Sequence, residues 1–343
     1  MFNFIKRQDS SRAPVFAPID LSAPDPIPAI LASPEFRQTV QVFADSPSIK
    51  RALVSPDSQA LLYSLIRLLR PSVAVEIGTY LASTTEAMAR AIAENSFGKL
   101  HTVDPFGAKR APQIIAQWPS NLQKVTELHL TDSMMFFASM QQHEMRSDLI
   151  FIDGNHDYEF ALFDIQCAAR IMNAGGFIVI DNIAQPGPFF AARDFMQRGA
   201  PQGWRECGHS LDRYRLGEIF DRHRTTIHNT DFCILRAPQS ISIGNRPVTF
   251  GDLSWTDAST SLRLPLEGGA AGQLHAQFII RVFENPPREI IETASVKVAS
   301  TTEAKIEIPF PQSVDKAARK TIEPWLTWEG AGELRLRELP SIC

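Results

Sequence analysis

The apolar residues of this chain keep two different rhythms, and the change between them divides it. Leu61, Leu62, Leu65, Ile66, Leu68 and Leu69 recur three and four positions apart, the spacing of one helix face. Ser55, Pro56 and Asp57 open that helix: a hydroxyl that can cap free N–H groups, a proline suited to the first helical position, and an acid at the positive helix end. Pro71 closes it. Short continuous apolar runs then alternate with helical patterns. Strands are predicted over 73–77, 99–103, 125–130, 148–152 and 176–180. Helices are predicted over 83–94, 133–142, 159–172 and 189–198, with a further helical segment around 113–118. Strands that are apolar on both faces and alternate with helices mean a parallel sheet covered on both sides. Residues 204–206 and 231–235 are expected to add a closing antiparallel pair.

After about Ala237 apolar and polar residues alternate one by one, in segments 261–264, 274–284, 289–299, 304–309 and 333–339 separated by Gly and Pro turns. That rhythm predicts an antiparallel β-domain, a small sandwich. Only 314–322 reads as a helix there. Trp255, Phe278, Phe283, Trp325 and Trp328 either fill this domain's core or line a sugar site. At the other end, residues 1–45 are rich in proline and small residues and cannot build a core of their own, so they are expected to be disordered or loosely docked. The expected organisation is a Pro-rich N-terminal arm (1–45), an α/β domain (46–238) and a β-rich accessory domain (239–343).

Composition removes several function classes. The 343 residues suffice for two domains with cores, and 44% apolar with 21% charged residues is the balance of an ordinary globular protein. A net charge of -4 argues against a general nucleic-acid binder, which carries a basic surplus. No apolar run approaches the roughly 20 residues that cross a bilayer, and no apolar stretch follows the basic N-terminus, so neither a membrane partner nor a signal peptide is expected. Cys167, Cys207, Cys233 and Cys343 are far apart, form no CxxC pair, and read as reduced thiols of a cytoplasmic protein. A homo-oligomer is compatible with all of this.

The residues that carry chemistry cluster where strands end. Gly78, in Glu76-Ile77-Gly78-Thr79-Tyr80, follows the first strand, and ligands of open parallel sheets bind beyond the strands' C-terminal ends. Its missing side chain lets backbone approach a bound molecule; a plain tight turn would use the same residue. Asp104 ends the second strand, where a carboxylate can take both hydroxyls of a ribose or serve as a turn or cap residue. Asp153 ends the fourth strand, and Asp181-Asn182 end the fifth. Two carboxylates brought together repel one another, and a hard divalent cation removes that conflict. Two carboxylates, an amide oxygen and waters suit magnesium. Each of these residues, taken singly, is also an ordinary turn former. His156, three residues beyond Asp153, lies over the same rim and can accept a proton near neutral pH. The other histidines, His101, His129, His143, His209, His223, His228 and His275, show no metal-ligand spacing along the sequence.

These motifs resemble the class I S-adenosylmethionine-dependent methyltransferases, and among them the catechol O-methyltransferase-like, metal-dependent group. The likeness runs from about Val54 to Arg236 and is carried by VSPDSQALLYSLIRLLRPSVAVEIGTY, TVDPF, FIDGNHDYE and IVIDNIAQPG. It implies a Rossmann-like doubly wound, mostly parallel sheet over 46–238, to which the C-terminal antiparallel β-domain is an addition. It also implies that Glu76, Gly78, Tyr80, Thr84, Asp104 and Asp153 line the cofactor, that Asp132 or Ser133 lies near its adenine, and that Asp153, Asp181 and Asn182 hold the metal. His156 stands where catechol-type enzymes have a lysine. A histidine there is similar instead to the bacterial branch related to macrocin O-methyltransferases, which act on sugars.

The expectation is an O-methyltransferase that uses S-adenosylmethionine and a divalent metal, with His156 and Asp153 as its catalytic pair and a small-molecule or sugar hydroxyl as its substrate. The competing reading is a non-catalytic scaffold that binds cofactor or sugar and offers its β-domain to a partner. An NAD-dependent oxidoreductase is weakened by the absence of G-x-G-x-x-G.

Overall fold

The proline-rich N-terminal segment folds onto its neighbours. Helices α1 (Ile27–Ala32) and α2 (Pro34–Asp45) follow one another, and the Ser33 hydroxyl caps α2 by accepting from Phe36 N at 3.1 Å. Ile27, Ile30, Leu31, Phe36 and Phe43 are buried in one core with Leu61, Leu62 and Leu65 of α3 (Pro56–Leu69). The Phe43 ring meets Tyr63 edge-on, centroids 5.4 Å apart. Arg236 donates to the carbonyls of Leu21 and Ala23. The expectation of a loosely docked arm is corrected here: too apolar-poor for a core of its own, the segment contributes helical stripes to a core built elsewhere. The computed structural model describes residues 16–46, 53–107, 110–143, 145–208, 211, 230–238, 240–245, 247–251, 253–255, 260–309, 311–315, 318–337 and 340–342. Residues 1–15, His209, His223, His228 and Cys343 lie outside them.

Ser55 caps α3 as its position predicts, accepting from Ser58 N at 3.1 Å. The α/β alternation then runs β1 (Val73–Ile77), α4 (Ser83–Asn95), β2 (Lys99–Val103), α5 (Ala111–Ile115), α6 (Ser120–Val125), β3 (Thr126–His129) and α7 (Ser133–Gln142). It continues with β4 (Ser147–Ile152), α8 (Tyr158–Ile171), β5 (Met172–Ile180), α9 (Pro186–Gly199), β6 (Arg205–Cys207) and β7 (Cys233–Arg236). The sheet order is β3-β2-β1-β4-β5-β7-β6. The first five strands are parallel, and β7 runs antiparallel to both β5 and β6. Strand alternation feeds two cores. Leu149, Phe151, Phe177 and Val179 face α1 to α4, whereas Ile150, Ile152, Ile178 and Ile180 face α7 to α9. The chain order reverses between β1 and β4, which makes their carboxyl ends the switch point where ligands of such sheets bind.

The C-terminal part contains β8 (Ile241–Ile243), β9 (Val248–Thr249), β10 (Leu253–Ser254), β11 (Ser261–Pro265), β12 (Ala271–Val282) and β13 (Arg288–Ala299). It ends with β14 (Glu303–Glu307), β15 (Lys320–Ala331), β16 (Leu334–Leu336) and β17 (Ser341–Ile342). A sheet β10-β15-β12-β13 and a sheet β14-β11-β17 share one core, with Leu274, Phe278 and Ile322 from the first and Leu262, Leu264 and Ile306 from the second. The helix expected over 314–322 is corrected: strand β15 begins at Lys320 and pairs with β12 over its whole length. Residues 316–317 of that range lie outside the described ones. Pro324, which reads as a strand breaker, falls between the residues that pair with β10 and those that pair with β9, where no N–H is needed on that side. Of the five aromatic residues with two readings, Trp255, Phe278 and Trp328 are core, while Phe283 is exposed.

The docked N-terminus makes a measurable claim. Phe43→Ala should cost about 3–5 kcal/mol in chemical denaturation, the range for a buried Phe. A loosely attached arm would show almost no change.

Candidate functional site

Main-chain bonds carry the parallel ladder one residue past each strand end and so build a rim. Gly78 N donates to Val103 O at 2.9 Å, Asp104 N to His129 O at 3.1 Å, Asp153 N to Ile77 O at 2.8 Å and Asp181 N to Ile152 O at 2.9 Å. Asp153 and Asp181 directly follow the paired residues Ile152 and Ile180, so the two acids stand on adjacent strand tips. Gly78 has φ +103, and a Cβ there would lie 2.0 Å from the Asp153 carbonyl oxygen. Only glycine allows the tips of β1 and β4 to approach this closely.

The acids on this rim differ in surroundings. Glu76 is fully buried, and its Oε2 accepts from Thr85 Oγ1 and Thr102 Oγ1, both at 2.6 Å. Its Oε1 has no hydrogen-bond partner among the described residues. Burial, with the like charges of Asp153 and Asp104 nearby, pushes its pKa up to about 8. Asp104 serves its own loop and the loop after β1: Oδ2 accepts from Tyr80 N at 2.7 Å, and Oδ1 from Phe106 N at 2.7 Å and Gly107 N at 2.9 Å. These three bonds leave room for about one more, since a carboxylate offers about four lone-pair sites. Burial raises the Asp153 pKa, and a contact from His156 Nε2 to its Oδ1 at 3.3 Å works against that rise. Asp181 is buried; Asn182 is half-buried with φ +55, a left-handed conformation that Asn tolerates better than most residues.

His156 lies beside an open groove of about 600 Å³, lined also by Asn155, Asp157, Tyr158, Gln185, Phe190 and Asp194. Tyr158 donates its hydroxyl to Asp194 Oδ2 at 2.9 Å, and Arg193 stacks over the Phe190 ring. Gly187 closes the junction behind the groove, since a Cβ there would stand 1.9 Å from the His156 carbonyl oxygen. The remaining expected residues flank the rim. Tyr80 is largely exposed, Thr84 is buried, and Asp132 caps α7 by accepting from Met135 N at 2.7 Å. Ser133 lies near Asp164 and works against the rise in its pKa.

Sequence reasoning missed Asp164. It is buried on α8, its Oδ1 has no hydrogen-bond partner among the described residues, and burial pushes its pKa up to about 6. Its Oδ2 lies 3.4 Å from where a Cβ on Gly154 would be, next to Asp153. The signal was available, because Asp164 interrupts the inward stripe Ala161, Ile165, Ala168, Ile171. Two histidines without ligand spacing in the sequence meet across strands. His101 on β2 and His129 on β3 bring ring nitrogens to 2.9 Å, with Glu127 beside them. Linear spacing hides a group assembled across two strands. Among the described residues this trio is the only group of three or more His, Cys, Asp or Glu side chains whose ligand atoms all lie within 4.8 Å of one another. Asp153, His156 and Asp181 do not form such a group.

Residues 75–183 match the family model described as a methyltransferase domain. The matched stretch runs from within β1 to just past β5 of the doubly wound sheet. Among solved structures the chain is similar to the O-methyltransferase TomG from Streptomyces achromogenes, at 18% identity over 60% of this chain and 90% of that one, with a TM-score of 0.41. It is similar to an O-methyltransferase from Bacillus cereus at 19% identity over 59% and 89%, also with a TM-score of 0.41. A putative O-methyltransferase from Klebsiella pneumoniae aligns at 20% identity over 62% and 93%, again with a TM-score of 0.41. No curated protein matches the chain. No helix among the described residues is long and apolar enough to cross a membrane.

Glu76 makes stability depend on pH. Its folded pKa of about 8 lies above the ordinary 4.5, so the folded chain keeps a proton that the unfolded chain releases. Stability from this group is complete below pH 4.5, falls as pH rises toward about 8, and then levels off. Without added ligand, Glu76→Gln should flatten the decline in melting temperature over that window. Parallel declines in variant and wild type would assign the effect to another group.

Proposed function

We propose that this protein is an S-adenosylmethionine-dependent O-methyltransferase that uses a divalent cation, magnesium, to methylate a hydroxyl of a sugar or other small molecule. The carrying observation is the concentration of carboxylates at one rim. Glu76, Asp104, Asp153 and Asp181 lie at or just inside the tips of neighbouring strands, and Glu76 feels the charges of Asp104 and Asp153. Such a rim favours cationic ligands and repels a pyrophosphate, which supports a sulfonium donor over a dinucleotide.

The donor set fits both groups. Asp153, Asp181 and the amide oxygen of Asn182 are hard oxygen ligands of the kind magnesium takes. Gly78, Tyr80 and Thr84 would line the methyl donor, Asp104 would give its remaining lone pair to a ribose hydroxyl, and Asp132 and Ser133 would flank the adenine. S-adenosylmethionine supplies an electrophilic methyl group, and the cation supplies charge that eases deprotonation of a nearby hydroxyl. His156 then does the proton chemistry. Donating Nε2–H toward Asp153 leaves Nδ1 free to accept the proton of a hydroxyl in the groove. The strands hold these groups in fixed register, and positioning alone can be worth about 7–11 kcal/mol of barrier. The groove's open shape and its Asn, Gln, Tyr and Asp lining support a hydroxyl-rich acceptor. The buried free thiols Cys167, Cys207 and Cys233 support action in the cytoplasm.

A panel of sugars and polyhydroxylated small molecules, incubated with methyl-labelled S-adenosylmethionine with and without magnesium, tests the reading. Asp153→Ala and Asp181→Ala should abolish metal-dependent turnover, while Asp181→Ala keeps S-adenosylhomocysteine binding measurable by calorimetry. Full activity in EDTA would defeat the metal assignment, and tighter binding of NADH than of S-adenosylmethionine would defeat the donor. His156→Ala should lower kcat about 10²–10⁴-fold, the usual contribution of a positioned acid or base.

A further inference from the structure

We propose that His101, Glu127 and His129 form a second cation site, selective for zinc, on the outer edge of the doubly wound sheet and separate from the acidic rim. Strand register builds it. His101 on β2 pairs with Glu127 on the edge strand β3, and Val103 pairs with His129, so the three side chains fall on one face of two adjacent strands. His101 Nδ1 and His129 Nε2 are 2.9 Å apart. The Glu127 carboxylate spans both, with Oε2 3.7 Å from His101 Nδ1 and Oε1 3.6 Å from His129 Nε2.

These separations bracket those of a tetrahedral zinc site. Zinc–nitrogen bonds of about 2.0–2.1 Å put ligand atoms about 3.3–3.4 Å apart, so the two nitrogens need spread by only about 0.4 Å. The ring of Phe136, with centroids 6.3 Å from His101 and 5.0 Å from His129, packs against both imidazoles and limits their rotation. Both histidines are largely shielded, whereas Glu127 is 61% exposed, which gives a cation a path in and leaves a coordination position open to water. Two imidazoles and one carboxylate are the ligands of a borderline metal, unlike the all-oxygen set of Asp153, Asp181 and Asn182. The site also touches the cofactor rim through the backbone, because the His129 carbonyl accepts from Asp104 N.

The test uses the full, untagged chain after chelator treatment, titrated with zinc against a chromophoric competitor. One equivalent should bind, and cobalt should give the strong visible absorption of a tetrahedral site. His101→Gln and His129→Gln, which keep bulk and polarity in place, should weaken zinc by more than the 10–100-fold that outer partners of a ligand contribute. Asp181→Ala should leave zinc binding unchanged, which separates this site from the proposed magnesium centre. Each variant's melting temperature without metal should stay near that of the wild type, confirming that the fold persists. Equal zinc affinity in the wild type and both histidine variants would overturn the proposal, as would loss of zinc in Asp181→Ala alone.

Discussion

Carboxylates held at the strand tips, and partly cut off from water there, are the constraint around which the α/β sheet is organised. A parallel sheet aligns its strands' ends, and this sequence places an acid at or beside four of them: Glu76, Asp104, Asp153 and Asp181. Burial does most to raise the proton affinity of Glu76, and the nearby charges of Asp153 and Asp104 add to it. The fold answers with local donors. Two threonine hydroxyls serve one oxygen of Glu76, and three backbone N–H groups serve Asp104. The other Glu76 oxygen and Asp164 Oδ1 are left without partners among the described residues. A site with buried acceptor capacity to spare is poised for ligands that bring positive charge or donors.

Close backbone approach keeps the acids together. At Gly78 and Gly187 any side chain would collide with a carbonyl, of Asp153 in one case and of His156 in the other. The first contact joins the tips of β1 and β4. The second joins the loop after β4 to the start of α9. His156 is thereby fixed between Asp153 and the groove by the backbone on both sides. Stability reaches the rim from behind as well, since α1 and α2 add their apolar stripes to the core beneath β1 and β4.

What could be read from the sequence was whatever local chemistry decides. Continuous apolar runs located β1, β2 and β4 nearly to the residue, and Ser55 before Pro56 marked a real cap. Residues that end strands announced the rim, because aligned ends follow from the parallel arrangement alone. The failures share one cause, dependence on a partner distant in the chain. The apolar residues of α1 and α2 look too few until α3 lies beneath them. Residues 320–322 read as the end of a helix until β12 is seen beside them. His101 and His129 are 28 residues apart, and only the register of β2 with β3 makes them neighbours. Asp164 is the exception, a local break in the inward stripe Ala161, Ile165, Ala168 and Ile171.

The sheet separates its donors by kind. Oxygen donors gather at the carboxyl ends of the central strands, where the switch in strand order opens a crevice; the nitrogen donors His101 and His129 stand on the β2–β3 edge. Hard cations prefer the first set and borderline metals the second. Besides the strand ladder, Asp104 N donates to the His129 carbonyl and so joins the two sets directly. The residue bonded to His129 is thus the one whose carboxylate organises the loop from Phe106 to Gly107.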